Sequence, residues 1–515
     1  MRALANKIND FFQSVSADLP PLASENKYMK KDIELPDYLT IPVTEVEDNL
    51  ARMKLGKAPG PDNIQSWMLR DLAPYISRPV TAIFNASLRD GYVPETWKEA
   101  YVTPLPKKRP PKEIAKDIRP ISLTSLLAKQ LEKCVIKRLR TTTDGLVGEN
   151  QYGNSKGLST THLLVKLLDT WLKALDKPNT AVRVVFLDYT KAFDRINHHK
   201  LMDKYSKLGV HPILLRWLAA FLQGRTQRVK IGDGISDAKH IKAAVPQGAI
   251  LGMEAFIVMI DDLQTESDID KYVDDTTLSE IINLKAPSDS RLQFSLNHAV
   301  QWTKSNDMSI NAGKTNAMNI CFARTQSFDD LTIEDKPIET VESTKLVGVH
   351  IQNDLKWNTH ISSIVKKSYT RIHFLSLLKR AKAPEKDMIN FYLSIIRPVL
   401  EYACPAWSTS LPHYLSEKLE SVQKRCMKII YPGHIYSQAL EKAKLTSLYD
   451  RRNVLCHSFF KQLEKPDNKL FNLLPPLRKS GAYHLRKAKK YECPRIRTER
   501  YKNSFVPFCA MNCKT

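Results

Sequence analysis

Two apolar runs in this chain end in carboxylates. Val184-Val185-Phe186-Leu187 leads into Asp188, and Tyr272-Val273 leads into the adjacent pair Asp274-Asp275. Burying a carboxylate at the end of an apolar strand costs several kcal/mol unless cations or donors compensate. Adjacent like charges raise that cost. Taken separately, each cluster has an ordinary structural explanation, because Asp-Asp is common in turns and Asp at a strand end is unremarkable. Taken together, a strand ending in Asp beside a hairpin with Asp-Asp at its tip gathers three carboxylates. That is the hard oxygen set suited to Mg²⁺, and two such ions ~3.5–4 Å apart support in-line phosphoryl transfer. One ion would lower the pKa of an attacking 3′-hydroxyl. The other would hold a triphosphate and the departing pyrophosphate.

The rest of the composition fits a nucleic-acid partner. Among 515 residues, 78 Lys and Arg face 55 Asp and Glu, a net charge of +23. Such a surplus points to a polyanion, nucleic acid before an acidic membrane surface, with a merely basic soluble protein as the plain alternative. The surplus is concentrated. Residues 107–140 carry 11 Lys/Arg against 3 Asp/Glu, and 451–515 carry 16 against 4. Hydrophobic residues at 43% exclude wholesale disorder, and 17 glycines exclude a glycine-rich low-complexity binder. The longest apolar run, 249–260, is broken by Glu254 and is too short to span a bilayer, and no signal peptide is visible. None of the eight cysteines forms a CxxC pair. Cys493, Cys509 and Cys513 could hold a metal near the C-terminus, though scattered free thiols in a reducing, intracellular setting fit the spacing better.

The elements that must position the acids follow from periodicity. Residues 1–40 read as a helix and then a linker. Residues 43–55 read as a short helix stopped by the turn-rich 57–62, and 100–105 as the one strand in 63–140. A basic helix is expected over 126–139, a buried strand over 181–189, a helical stretch over 198–222 and a hairpin near 232–234. Residues 268–280 alternate strand, acidic turn, strand. An amphipathic helix covers 292–306, strand signals recur at 345–351, and 359–430 is helical throughout. The last stretch, 451–515, reads as a nucleic-acid-binding surface or a solvated tail. Its aromatics Tyr483, Tyr491, Tyr501 and Phe505 are available for stacking on bases.

At this point the residues match a known family. The segments KAPGPDNI (57–64), WKEAYVTPLPKK (97–108), DIRPISLTSLLAKQLEK (117–133), NQYGNSKGLSTTH (150–162), FLDYTKAFDRINH (186–198), VPQGAILG (245–252), YVDD (272–275), GKT (313–315) and LVGVHIQNDLKW (346–357) stand in family order. Together with 394–407 and 497–508, they resemble the reverse transcriptases of non-LTR (LINE-type) retrotransposons, most of all the jockey and CR1 groups. YVDD alone is a weak signal, whereas nine ordered motifs are a strong one. Gly252 is followed by Met253 where the family usually has Pro, and the segment ends in 260–263, IDDL in place of INDL. Asn154, Ser155 and Leu158 also depart from the usual NQYG pattern. The three aspartates are unaffected.

The resemblance implies an α/β right-hand polymerase. Fingers and palm (51–355) would contain an antiparallel sheet carrying the acids. A helical thumb (356–435) and a basic C-terminal region (436–515) would follow, with 1–50 as an N-terminal extension. It implies an RNA-directed DNA polymerase adding dNTPs to a DNA 3′ end on an RNA template, with two Mg²⁺ ions or Mn²⁺ as substitute. Asp188, Asp274 and Asp275 would be the catalytic, metal-binding triad. Arg119 and Lys107, with Lys108 a rival, would grip the triphosphate, since a guanidinium fork suits phosphate oxygens. Phe193 would exclude a 2′-hydroxyl. Gln247 and Gly248 would lie against the template and nascent pair, and Lys314 would be the general acid for pyrophosphate. Outside the resemblance, Phe193 reads sooner as a core aromatic than as a gate, and a surface-charge reading remains open for the lysines. The expected partners are RNA template, DNA primer or target and dNTPs, with no membrane, and the expected compartment is the nucleus after assembly on RNA. Forty leading residues cannot contain the endonuclease that autonomous elements carry, so a fragment or 5′-truncated gene copy is expected. A decayed copy that only binds nucleic acid is the alternative function.

Overall fold

The computed structural model describes residues 1–23, 27–28, 33–286, 290–323, 327–478, 490–492 and 495–512. Among the described residues, nine strands make up most of the two larger sheets: β1 (Glu99–Pro106), β2 (Ile118–Leu123), β3 (Thr180–Leu187), β4 (Thr226–Ile231), β5 (Gly234–Ile235), β6 (Lys239–His240), β7 (Asp268–Tyr272), β8 (Asp275–Asn283) and β9 (Asn316–Ile320). The chain forms two compact units. One comprises Met1–Gln151, Tyr189–Gln264 and His298–Asn311; the other comprises Tyr152–Asp188, Thr265–Asn297 and Ala312–Thr515.

The first unit is built on a mixed sheet of order β2-β1-β4-β5, with β6 also paired to β4. β1 runs antiparallel to β2, from Tyr101 opposite Leu123 to Pro106 opposite Ile118, and parallel to β4. The sequence offered one strand in this region and the structure has two. β2 escapes the pattern because it is an edge strand carrying Pro120, which such a position tolerates. Helix Arg2–Ser14 lays Ala5 and Ile8 on Val102 and Val229. Its buried Asn9 donates to the carbonyls of Gln227 and Asp237. Helix Leu126–Thr143 starts at Ser125, whose hydroxyl accepts from the Ala128 N–H. Gly60 of the KAPG turn packs here: a Cβ on it would lie 2.5 Å from the Ser125 nitrogen, so only glycine fits. The stretch 198–222 is two helices, His198–Lys207 and Pro212–Leu222, parted at the left-handed Gly209.

The second unit centres on β3, whose residues after Thr180 are all buried. It pairs antiparallel with β8 and β9, and β7 pairs antiparallel with β8. The expected antiparallel sheet is thus present, with one difference. The short strand Glu339–Thr340 joins β9 in parallel, so the sheet is mixed. Helix Thr160–Leu175 packs Leu164, Leu168 and Trp171 in the same core as Val182, Val184, Met318 and Ile320. A hairpin, Ser343–Leu346 with Val349–Gln352, and helices Asn358–Arg380, His413–Ile430 and Leu448–Leu463 extend that core.

The C-terminal stretch corrects the sequence reading. Tyr491, Tyr501 and Phe505 are buried, and Phe505 packs on Phe459 with ring centroids 5.6 Å apart. These rings anchor the segment to the core and have no face left for stacking on bases. Tyr483, Cys493 and Cys513 lie outside the described residues. Cys509 is buried, as free cysteines commonly are. Among the described residues, no helix is long and apolar enough to cross a membrane.

Candidate active site

Register brings the acids together. Leu187, the last residue of β3, pairs with Thr276 of β8, and Tyr272 of β7 pairs with Asp275. One step past the Leu187–Thr276 pair, Asp188 falls opposite Asp275, with Asp274 at the tip of the β7–β8 turn. The turn itself is strained. Val273 has φ +58°, an uncommon conformation for a β-branched side chain, and it is buried. The buried Val273 anchors the turn that presents Asp274 and Asp275 at its rim.

Electrostatically, the cluster is poised for a cation. Burial, and then the nearby charges of Asp274 and Asp188, push the Asp275 carboxyl up to about 6. Lys314 Nζ stands 3.8 Å from Asp188 Oδ2, with both side chains substantially exposed. The neighbouring Thr315 hydroxyl accepts from the Asp188 N–H at 3.2 Å. Phe186 pairs with Asn316, so the GKT segment runs beside the end of β3. The donor set is three carboxylates, hard oxygens whose mutual repulsion a divalent ion would relieve. Among the described residues no three such side chains already form a metal cage. The fit to Mg²⁺ is therefore one of donor chemistry and charge.

The expected nucleotide-binding residues all lie in the first unit. Arg119 is exposed on β2, opposite Leu105. Lys107 follows the end of β1, its N–H donating to the Asp117 carbonyl at 2.6 Å. The β1–β2 register thus sets Lys107, Lys108 and Arg119 at one end of the pair. Phe193 sits on the 3₁₀ turn Ala192–Arg195, half-buried, its ring 4.8 Å from that of Phe256. Gln247 offers its carbonyl to the Ser122 N–H at 2.7 Å. Gly248 has φ +131°, and a Cβ there would meet the Ser122 carbonyl oxygen at 2.4 Å, so glycine is required twice over.

Sequence reasoning passed over three supporting residues. Asp194 accepts from the Gln247 amide at 2.9 Å. Glu132, buried, accepts from the N–H groups of Ile250 and Leu251 at 2.6 and 2.9 Å, capping helix Leu251–Ile260 directly after the PQG segment. Thr315 is the third. The readable signal was Glu132, an acid among Leu131, Val135 and Leu139 on a helix that buries them.

Sheet, acidic rim and motif order together define a class. The reverse transcriptase (RNA-dependent DNA polymerase) family matches residues 105–375, more than half of the sequence, and the chain belongs to that family. Within it, the chain resembles enzymes of mobile elements in Drosophila melanogaster. It is 27% identical over 86% of its length to the RNA-directed DNA polymerase from mobile element jockey, covering 50% of that protein. It is 25% identical over 88% of its length to the probable RNA-directed DNA polymerase from transposon X-element, covering 51% of it. To the probable RNA-directed DNA polymerase from transposon BS it is 26% identical, over 77% of this chain and 46% of that one. The chain thus spans about half the length of the curated relatives it matches, and the jockey-like reading of its motifs is borne out. A second match, to the N-terminal region of alkylated DNA repair protein alkB homolog 8, covers only residues 357–397.

Proposed function

We propose that this chain is the RNA-directed DNA polymerase part of a non-LTR retrotransposon protein, adding dNTPs to a DNA 3′ end on an RNA template. The observation that carries the reading is the meeting of Asp188, Asp274 and Asp275 at one end of the β3–β8–β7 sheet in a reverse transcriptase. These three would hold two Mg²⁺ ions, with Mn²⁺ as substitute. Bound there, the ions lower the pKa of the primer 3′-hydroxyl and offset charge on the triphosphate.

The chain's own side chains do the rest. Arg119 and Lys107, with Lys108 beside it, bind triphosphate oxygens. Phe193 fills the space a 2′-hydroxyl would need. Gln247 and Gly248 lie along the nucleotide and template. As the 3′-hydroxyl gives its proton to solvent and its oxygen bonds to the α-phosphorus, the α-phosphorus–oxygen bond to pyrophosphate breaks, and Lys314 Nζ gives a proton to the departing pyrophosphate. Residues 51–355 act as fingers and palm, 356–435 as a thumb along the duplex backbone, and 1–50 and 436–515 as flanking regions. The work takes place on RNA template and DNA primer in the nucleus, after assembly on RNA.

The test is extension of an oligo(dT) primer on poly(rA) with dTTP. Incorporation that Asp274→Asn abolishes supports the reading. No incorporation across Mg²⁺ and Mn²⁺ overturns it in favour of a protein that only binds nucleic acid. A Phe193→Val variant that gains no ribonucleotide use removes Phe193 from its role.

A further inference from the structure

We propose that Asp194 is a positioning residue for the incoming nucleotide, acting by holding the Gln247 side-chain amide in a single orientation. The inference rests on the nucleotide-binding role proposed for Gln247. Its support is local geometry within one unit.

Gln247 is fixed at both ends. Its carbonyl accepts from the Ser122 N–H of β2 at 2.7 Å. Its side-chain Nε2 donates to Asp194 Oδ1 at 2.9 Å, a contact between residues 53 apart in sequence. Asp194 in turn sits on the turn Ala192–Arg195, whose Phe193 carbonyl accepts from the Val245 N–H at 3.3 Å. The segment before Gln247 and its side-chain anchor therefore belong to one rigid corner.

The chemistry of the pair decides what that corner presents. A glutamine amide has a donor end and an acceptor end of nearly equal shape, so a free one turns over at little cost. A carboxylate only accepts. Facing Asp194, Gln247 can turn only its NH₂ group inward, which directs Oε1 away as an acceptor. An acceptor recognises a hydroxyl or an N–H, so it selects the sugar hydroxyl or base edge of a nucleotide and rejects its phosphate oxygens. Burial pushes the Asp194 carboxyl up, while the Gln247 bond and the charges of Lys191 and Lys107 pull it back. The pair borders a cavity also lined by Phe12, Gln13, Ser16 and Pro120. That space lets the amide turn once its anchor is removed.

The experiment is steady-state primer extension on poly(rA)·oligo(dT) with the full chain, comparing wild type, Asp194→Asn, Asp194→Ala, Gln247→Ala, the Asp194→Ala/Gln247→Ala pair and Asp274→Asn. Asp194→Ala should raise KM for dTTP roughly tenfold, the size of one charge-assisted hydrogen bond, with kcat within about twofold. Gln247→Ala should do the same, and the pair no more than either alone. Asp194→Asn, which keeps an acceptor but lets the amide turn, should fall between, at about threefold. A purely structural Asp194 would instead lower the thermal midpoint and kcat without a selective rise in KM. Unchanged KM in both Asp194 variants, or additive effects in the pair, overturns the inference. If Asp194→Ala fails to fold, the isosteric Asp194→Asn decides it. Absence of incorporation by wild type overturns both the proposed function and this inference. An active wild type with an inactive Asp274→Asn leaves the function standing, so the KM comparison then bears on Asp194 alone.

Discussion

Two sets of acids in the second unit are held in opposite ways. In the interior, Asp270 of β7 is fully buried and bonded by Lys166 Nζ at 2.5 Å, and Asp169 of helix Thr160–Leu175 is held among apolar neighbours with its carboxyl pushed up to about 7. Just beyond the end of β7, Asp274 and Asp275 share the rim with Asp188, where Lys314 Nζ lies 3.8 Å from Asp188 Oδ2. In the interior, Asp270 is met by a lysine, and burial favours the protonated form of Asp169. At the rim the fold gathers three carboxylates beside one exposed lysine and anchors the turn through the buried Val273. Under the proposed function, the difference separates acids that serve the structure from acids that would hold metal ions.

Each side of that contrast yields a measurement. The largest effect belongs to the rim. Asp275→Asn should lower primer extension by at least roughly a thousandfold, several kcal/mol of transition-state stabilisation. Its thermal midpoint should hold or rise, because one of three repelling charges is gone. Retained activity would place the chemistry elsewhere. Next comes the interior pair. Lys166→Met strands a buried carboxylate and should cost about 3 kcal/mol in urea unfolding at pH 7, shrinking as acid protonates Asp270. Adding Asp270→Leu should recover most of the loss, and a variant as stable as wild type would show the pair to be idle.

Asp169 offers a pH signature. Its folded pKa lies above the unfolded value, so the folded state binds the extra proton. The resulting stability is present below about pH 4 and is lost as pH rises towards 7. Asp169→Asn removes that dependence and should exceed wild type by on the order of 4 kcal/mol at pH 8, with little difference at pH 4. Parallel stability curves for the two proteins would refute it. The smallest effect returns to the rim. Mg²⁺ at about ten times its Kd should stabilise wild type by about 1.4 kcal/mol in thermal unfolding, and Asp275→Asn much less. Equal shifts in both would mean that the ion binds elsewhere.

Periodicity revealed the elements that bury a continuous face. β3 is apolar on both sides because helices and strands cover it, and it stood out at once, as did the acidic turn between β7 and β8. The motifs marked Gly60 and Gly248 as glycines, but not that both abut the segment from Ser122 to Ser125. That contact joins parts of the chain far apart in sequence. β2 was hidden by its proline and its place at a sheet edge. Tyr491, Tyr501 and Phe505 were hidden by the charges around them, which make a stretch look solvated even when its rings are buried. Asp194 was hidden because its significance lies in Gln247, which only folding brings near.

The burial of Phe505, Val506 and Cys509 against helix Leu448–Leu463 also has a bearing on synthesis. The ribosome makes β3 more than 300 residues before it makes Phe505, yet both belong to one apolar core. Until helix Phe505–Asn512 emerges, the Phe459 and Phe460 rings that Phe505 packs on lack that cover. A chain stalled or stopped short of residue 505 would already possess every one of the nine motifs. It would still lack the closing piece, and chaperones and proteases would meet it as an exposed apolar surface.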